Sequence, residues 1–107
     1  MPVFFWHNLG MKNDKIKETV IKNATREYDG AIYSYALIKS ESTRVSSYRL
    51  PLYSVEIAFT DTAGNTTDAR AGDLFSSLDK ASVFYEKLVK NLATPIDLAY
   101  VVEDEMA

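Results

Sequence analysis

Few side chains in this sequence are of the types that carry out catalysis. His7 is the only histidine, and the chain contains no cysteine. A catalytic histidine works with a nucleophile and an orienting partner. The apolar stretch around His7 offers neither, so we interpret His7 as an ordinary packed or exposed residue. The absence of cysteine excludes disulfides, thiol nucleophiles and zinc–thiolate sites.

Two groups of carboxylates are the candidates for a metal site. Residues 103–105, Glu-Asp-Glu, are adjacent, and adjacent residues of a helix fan out around its axis. We therefore interpret this run as a solvated acidic end. Asp61, Asp68 and Asp73 flank glycines but lack the spacing of a calcium loop, and turn chemistry explains them. We predict no metal site.

The glycines do not form a cofactor-binding motif. Gly10, Gly30, Gly64 and Gly72 are scattered along the chain, so there is no phosphate-binding loop and no Gly-x-Ser-x-Gly elbow. We predict no catalytic residue and no cofactor, and hence a non-enzymatic protein. A small enzyme or ligand-binding protein stays open as an alternative, because carboxylates that meet only in space are invisible in a sequence.

The aromatic residues of the first half form the one constellation that suggests binding. Five tyrosines lie near three basic residues: Tyr28, Tyr33, Tyr35, Tyr48 and Tyr53 with Lys39, Arg44 and Arg49. Aromatic side chains on a sheet can stack single-stranded bases, although tyrosine also half-buries readily on a small sheet. The net charge is −3 and no basic run is present, so we favour protein contact, which tyrosine and arginine also serve.

The apolar start of the chain, MPVFFWHNLG, is a second candidate for contact. It is too short for a signal peptide and lacks the basic start and the cleavage site. It could fold back on the core, pack on another subunit or extend outside the core, and Met11 is a possible alternative start. The predicted interaction surface combines residues from both regions: Phe4, Phe5, Trp6, Tyr33, Tyr35, Arg49 and Tyr53.

One strongly amphipathic helix is expected to support these residues. Apolar residues recur at helical spacing from Leu78 to Leu92 and form one wide stripe, from which Val83 points away. Ser76 or Ser77 can accept a hydrogen bond from an amide of the first turn. Pro95 is expected to end the helix, because proline disfavours helical geometry at the residue before it.

Residues before this helix show the patterns of an antiparallel sheet. Residues 17–27 fit either a helix or a strand, and the following Asp29-Gly30 pair favours a strand that forms a tight hairpin with residues 31–40. In that second strand Tyr33, Tyr35 and Leu37 share one face. The pattern then predicts a polar loop at 41–47, a strand at 48–60 that Pro51 starts or edges, a hairpin loop at 61–65 and a return strand at 66–71.

Residues 96–105 fit two structures. Ile96, Leu98, Tyr100 and Val102 alternate as in a strand. The preceding Thr94-Pro95-Ile96-Asp97 is instead typical of a helix start, with a threonine cap and proline in the first position. We predict a short helix through about residue 105.

These elements predict an α+β fold in a single domain spanning residues 1–107, with residues 1–12 a possible extension outside the core. An antiparallel meander of about four strands packs one face against the main helix, and a short C-terminal helix follows. The hydrophobic content of 47% and the charged content of 25% are those of an ordinary globular protein. No segment approaches the roughly 18 apolar residues of a membrane span.

The second half resembles a known family. Its order is YSVEIAF, a short hairpin and then SSLDKASVFYEKLVKNLATPIDLAYVVED, which is similar to a family of small clostridial proteins described as a domain of unknown function. The shared motif corresponds to Thr94, Pro95, Leu98, Glu103 and Asp104, and the resemblance covers about residues 17–104. It implies a small cytosolic protein from a Gram-positive anaerobe and implies no activity.

The leading hypothesis is a cytoplasmic, non-enzymatic protein–protein interaction module that forms a homodimer. It follows from the missing catalytic motifs, the tyrosine-rich sheet and the apolar terminus. One helix layer leaves the other sheet face uncovered, and large exposed apolar patches rarely go unused. The alternatives are a single-stranded nucleic-acid-binding accessory domain and a small ligand-binding protein or enzyme.

Overall fold

A computed structural model of the chain describes residues 16–42 and 51–106. Its elements follow in chain order: β1 (Ile16–Tyr28), β2 (Ala31–Ser42), β3 (Leu52–Thr60), β4 (Thr66–Phe75), α1 (Leu78–Lys90) and α2 (Pro95–Met106). The four strands form one antiparallel sheet in the order β1-β2-β3-β4. The predicted α+β meander with two helices is therefore confirmed. The predicted N-terminal extension and most of the polar loop at 41–47 lie outside the described residues.

The hairpin between β1 and β2 is the tight turn that the sequence predicts. Asp29 and Gly30 have φ angles of 55° and 84°, and positive φ at both central residues is the mark of a type I′ turn. This turn matches the right-handed twist of the strands it joins. The strand interpretation of residues 17–27 is thus confirmed. Ile21 is an extra residue in β1, since Val20 pairs with Ile38 and Lys22 with Leu37.

The hairpin between β3 and β4 also has the predicted bounds. One oxygen of the Asp61 carboxylate accepts hydrogen bonds from the backbone N–H groups of Ala63 and Asn65, each at 2.9 Å. Gly64 supplies a positive φ of 91°. Asp61 therefore shapes a turn, as its position between two strands predicts.

Strand β4 continues past Ala71, where the predicted return strand ends. Between the pairs Val55–Ala71 and Tyr53–Phe75 the register shifts, so three residues of β4 lie opposite Ser54 alone. Asp73 in this bulge has a φ of 52°, and its N–H donates to the Ser54 hydroxyl at 2.9 Å. The hydroxyl of the buried Ser54 thus replaces a missing backbone partner, and pairing resumes at Phe75.

Helix α1 lies on one face of the sheet and covers its core. The N-cap is Ser77, whose hydroxyl accepts from the Lys80 N–H at 3.3 Å. The middle of the predicted apolar stripe is buried, whereas Leu78 at its start is 43% exposed; Val83 is 70% exposed, as predicted. The buried core joins this stripe to the helix-facing side chains of β2 and β3: Tyr35, Leu37, Tyr53, Val55, Ile57, Ala81, Phe84, Tyr85 and Leu88.

The end of α1 differs from the prediction that Pro95 terminates a helix reaching Leu92. The helix ends at Lys90, and Leu92 takes a left-handed φ of 53°. The N–H of Leu92 donates to the Val89 carbonyl and that of Ala93 to the Leu88 carbonyl, at 3.3 and 3.1 Å. This is a Schellman motif with leucine at the position that glycine usually occupies. The last carbonyls of the helix are satisfied before the proline is reached.

Strand β1 is tied to the same end of α1. One guanidinium nitrogen of Arg26 donates to the Val89 carbonyl at 2.9 Å, so a positive charge lies at the negative end of the helix dipole. One turn earlier on the helix, the ammonium of Lys22 lies 3.4 Å from the Glu86 carboxylate. These contacts fix the edge of the sheet against the helix.

Helix α2 begins with a reciprocal cap. The Asp97 N–H donates to the Thr94 hydroxyl at 3.3 Å, and the Asp97 carboxylate accepts from the Thr94 N–H at 3.0 Å, which is the logic of a capping box. The helix prediction for 96–105 is confirmed. Leu98 is 3% exposed and joins the core cluster, so α2 lies on the same sheet face as α1. Within the described residues, no helix is both long and apolar enough to cross a membrane.

Candidate protein-interaction surface

The tyrosines of the predicted interaction surface lie on the helix-covered face of the sheet. Tyr35 and Tyr53 are 2% and 6% exposed. Tyr33 is half-buried and packs edge-on against Phe59, with ring centroids 5.0 Å apart. Alternation along β2 and β3 predicts that these side chains share a face, and the helices cover that face. The contact surface of a folded monomer therefore has to be sought on other side chains.

The remaining predicted surface residues are Phe4, Phe5, Trp6 and Arg49, which lie outside the described residues. His7 does too.

The hydroxyl of Tyr35 is satisfied inside the core. It donates to the Ala93 carbonyl at 2.8 Å, just beyond the end of α1. Burial, followed by the neighbouring Tyr33, raises the pKa of Tyr35 to about 12. Tyr35 is therefore a structural residue that joins the sheet to the connection between the helices.

The carboxylates do not assemble into a metal site in the described residues. Across 16–42 and 51–106, no group of three or more His, Cys, Asp or Glu side chains could hold a metal ion. Asp61 and Asp73 serve the hairpin and the bulge. In the acidic run at 103–105, Glu105 lies 3.6 Å from the ammonium of Lys87.

The sheet face opposite the helices carries an ionic network. Arg70 on β4 pairs with Glu18 on β1 and, at 3.4 Å, with Glu56 on β3. Burial, the largest effect, lowers the pKa of Arg70, but its hydrogen bond and charge interaction with Glu18, aided by Glu56, reverse the shift and raise this pKa. Arg70 and Glu18 stand on the two edge strands. Their side chains thus meet across three strand spacings, roughly 14 Å of sheet.

The strand register shows that the side chains of the ionic network cross a row of residues in the middle of the sheet. Val20 pairs with Ile38, and Ile38 with Ser54, which places this row between the row of Glu18 and the row of Arg70. Ile38 and Ser54 are 4% and 0% exposed. The network therefore lies over the middle of the sheet face that the helices leave open. Its charged side chains make this part of the face polar and unsuited to an apolar contact.

The outer face of α2 carries two of the three most exposed large apolar side chains in the described residues; the third is Val83 on α1. Ile96 is 78% exposed and Tyr100, one turn later, is 70% exposed. At about 100° per residue they lie nearly opposite Leu98, which is buried. Residues four apart on a helix are neighbours, so these two side chains form one patch. Asp97, Glu103 and Asp104 surround the patch and are exposed.

A small groove lies beside this patch, between α2 and β4. It has a volume of about 170 Å³. Small and apolar residues line most of it, with Arg70 completing the wall: Ala69, Ala71, Pro95, Leu98, Ala99 and Val102. We call the pair Ile96 and Tyr100 the α2 patch, and this cavity the α2–β4 groove.

The predicted surface did not include the α2 patch, although the sequence contains a signal for it. Residues 96–102 contain six apolar residues around a helix axis, and a helix packed on one sheet buries only one stripe. Once the Thr94–Asp97 start selects a helix, Ile96 and Tyr100 fall on the far side from Leu98. The same residues also alternate as in a strand, and in a strand Ile96 and Leu98 would lie on one face. The sequence pattern therefore did not by itself single out Ile96 and Tyr100 as exposed.

The fold and the surface define a small α+β domain in which one sheet face is covered by two helices. The chain belongs to a family of unknown function, DUF6514, whose family model matches residues 15–107. The predicted resemblance to a domain of unknown function is thereby confirmed. Comparisons with curated proteins and with solved structures gave no match.

Proposed function

We propose that this protein is a non-enzymatic protein–protein interaction module that self-associates as a homodimer through the α2 patch. The observation that carries the proposal is the exposure of Ile96 and Tyr100, 78% and 70%, one turn apart on the same helix face. Tyrosine is enriched among the residues that dominate binding energy at interfaces. Its ring offers a large contact area with few rotatable bonds to immobilise.

The position of the patch supports this use. Leu98 already anchors α2 to the core, so Ile96 and Tyr100 are not required to hold the helix in place. The opposite sheet face carries the Arg70–Glu18–Glu56 network. On α2, two large apolar side chains that are neighbours on one helix face are both mostly exposed.

The size of the patch sets the expected strength. Helix α2 has 12 residues and is therefore about 18 Å long. A contact centred on one such helix falls near the lower end of specific interfaces, below about 1,200 Å² of total buried surface, where association is weak and transient. We expect a monomer–dimer equilibrium that depends on protein concentration.

The expected cytoplasmic location and the origin in a Gram-positive anaerobe, both implied by the family resemblance, belong to this proposal. Burial of Tyr35 and Tyr53 removes two of the tyrosines on which the nucleic-acid alternative relied, while Tyr28 is 61% exposed. The enzyme alternative has no metal-binding cluster of side chains in the described residues to support it.

Sedimentation velocity across a wide concentration range tests the proposal. The wild type should shift toward a dimer as its concentration rises, and Tyr100→Ser should shift the equilibrium at least several-fold toward monomer. Val83→Ser is the matched control, since Val83 is also 70% exposed but lies on α1. A wild type that stays monomeric at every concentration contradicts the proposal, as does an equal loss of dimer in both variants.

A further inference from the structure

We infer that dissolved salt regulates self-association at the α2 patch, because carboxylates around Ile96 and Tyr100 repel those of a second copy unless ions screen them. This inference rests on the proposed homodimer and adds the force that opposes it. The occupant of the patch is still a second copy of this chain. What changes with the salt concentration is how readily the two acidic helices approach each other.

Two carboxylates stand where the apolar stripe on the outer face of α2 would otherwise continue. An apolar stripe recurs at helical positions i, i+4, i+7 and i+8, so a stripe that starts with Ile96 and Tyr100 would continue at 103 and 104. Those positions hold Glu103 and Asp104, both exposed. At about 100° per residue, both lie within about 60° of Tyr100 around the helix axis. The α2 patch is therefore a short apolar segment that ends in two carboxylates.

Helix α2 carries no basic side chain to balance these charges. Its sequence, PIDLAYVVEDEM, contains four acidic residues and no lysine or arginine. The Asp97 carboxylate is held in the first turn by the N–H and the hydroxyl of Thr94, each at 3.0 Å. Glu105 lies 3.6 Å from the ammonium of Lys87, on the side of α2 that faces α1. Two α2 helices in contact therefore bring only like side-chain charges together, whichever way they run.

The distances involved make this repulsion sensitive to salt. Packed helices lie about 8–10 Å apart, and the Debye length is roughly 30 Å at 0.01 M salt and about 8 Å at 0.15 M. Carboxylates on two adjoining helices therefore repel each other with little screening at the lower concentration and are substantially screened at the higher one. Burial of Ile96 and Tyr100 is driven by their removal from water and not by charge. The dimer should therefore tighten as salt is added, the reverse of a contact held by ion pairs.

Sedimentation velocity in about 0.01 M and about 0.15 M sodium chloride tests the inference. We expect the dimer dissociation constant of the wild type to fall several-fold at the higher salt concentration. Glu103→Gln with Asp104→Asn removes the two charges nearest the patch and keeps the shapes of the side chains. At the lower salt concentration this double variant should dimerise several-fold more tightly than the wild type, and its response to salt should be smaller. Adding Tyr100→Ser should remove most of the gain, because the contact still depends on the apolar pair.

Glu27→Gln with Glu86→Gln is the matched control. It removes the same net charge from two exposed side chains on β1 and α1. Glu86 faces β1, where the ammonium of Lys22 lies 3.4 Å from its carboxylate, whereas α2 packs on β3 and β4. An effect of net charge alone would tighten the dimer equally in both double variants, and a local effect should tighten it mainly in Glu103→Gln with Asp104→Asn. Circular dichroism verifies that each variant is folded.

Two results overturn the inference and leave self-association standing. One is a wild-type dimer whose dissociation constant stays the same or rises between the lower and the higher salt concentration. The other is equal tightening in both double variants, which assigns the effect to net charge and not to the surroundings of the patch. A wild type that stays monomeric at every protein and salt concentration instead contradicts the proposed function itself.

Discussion

The hydroxyl of Tyr35 and the carbonyl of Ala93 form a buried hydrogen bond of 2.8 Å between partners 58 residues apart in the chain. Tyr35 stands on β2, and Ala93 follows the left-handed residue that ends α1. This bond fixes the connection between the two helices to the centre of the sheet. The position of α2, and with it the α2 patch, therefore depends on a contact made in the core.

Replacing Tyr35 with phenylalanine should destabilise the fold. The substitution leaves the buried Ala93 carbonyl without its donor, and an unsatisfied buried polar group costs about 1–3 kcal/mol. The free energy of unfolding from urea titration measures the loss. Tyr85→Phe is the matched control: its hydroxyl is buried and has no hydrogen-bond partner among the described residues. That variant should be as stable as the wild type or more so. Equal losses in both variants would contradict this account of the bond.

Alkaline pH should destabilise the protein through the same residue. An unfolded tyrosine has a pKa of about 10, and burial raises the pKa of Tyr35 in the fold to about 12. Because the folded pKa is the higher one, the stabilisation is complete below pH 10 and is lost as the pH rises from 10 toward 12. Burial also raises the pKa of Tyr85, so both tyrosines contribute.

Urea titrations at several pH values between about 8 and 11.5, a range that brackets the ordinary tyrosine pKa of about 10, check this prediction. Stability should fall with pH above 10, and the fall should be shallower in Tyr35→Phe than in the wild type. A slope that Tyr35→Phe leaves unchanged would show that other groups cause it.

Gly30 should tolerate alanine less well than Gly64 does. Both glycines have a positive φ, 84° and 91°, so alanine is strained at either position by about 1 kcal/mol or more. A Cβ on Gly30 would in addition lie 2.9 Å from the Cγ2 methyl of Thr62, whereas Gly64 has nothing within 4 Å. Gly30→Ala should therefore lose more stability in urea titration than Gly64→Ala.

A second substitution isolates that clash. Thr62→Ser removes the methyl group and keeps the hydroxyl, so it should recover the difference between the two alanine variants but not their shared strain. If Gly30→Ala and Gly64→Ala lose the same stability, the clash has no energetic weight and the neighbouring loop moves aside.

The Arg70–Glu18 pair should contribute little to stability in spite of its reach across the sheet. Both side chains are more than a third exposed, 36% and 37%, and exposed ion pairs couple by about 0.2–1 kcal/mol. A double-mutant cycle with Arg70→Met and Glu18→Gln measures the coupling, which should shrink as salt is added. A coupling well above this range that resists salt would mean that the network is effectively buried.

Local chemistry made much of the fold predictable. Asp29-Gly30 fixes a type I′ turn because only such residues accept its φ angles, and a serine at Ser77 caps α1 because its hydroxyl reaches the first-turn amides. Thr94 with Asp97 selects a helix over a strand that alternation supports equally well. Each of these signals acts within four residues, so the sequence alone is sufficient for them.

Contacts between distant residues decided the rest. Alternation places Tyr35 with Tyr33, and Tyr53 with Val55, but it cannot say which face the helices cover, since that depends on how α1 packs. The left-handed Leu92 and the bulge opposite Ser54 arise because backbone groups need partners that only the assembled fold supplies.

The sequence by itself thus determined four strands, two helices, their order and the absence of cysteine chemistry. The tertiary structure decided which apolar residues are exposed. It buries Tyr35 and Tyr53, and it leaves Ile96 and Tyr100 exposed, because α2 has one stripe to bury and more apolar residues than that stripe can hold.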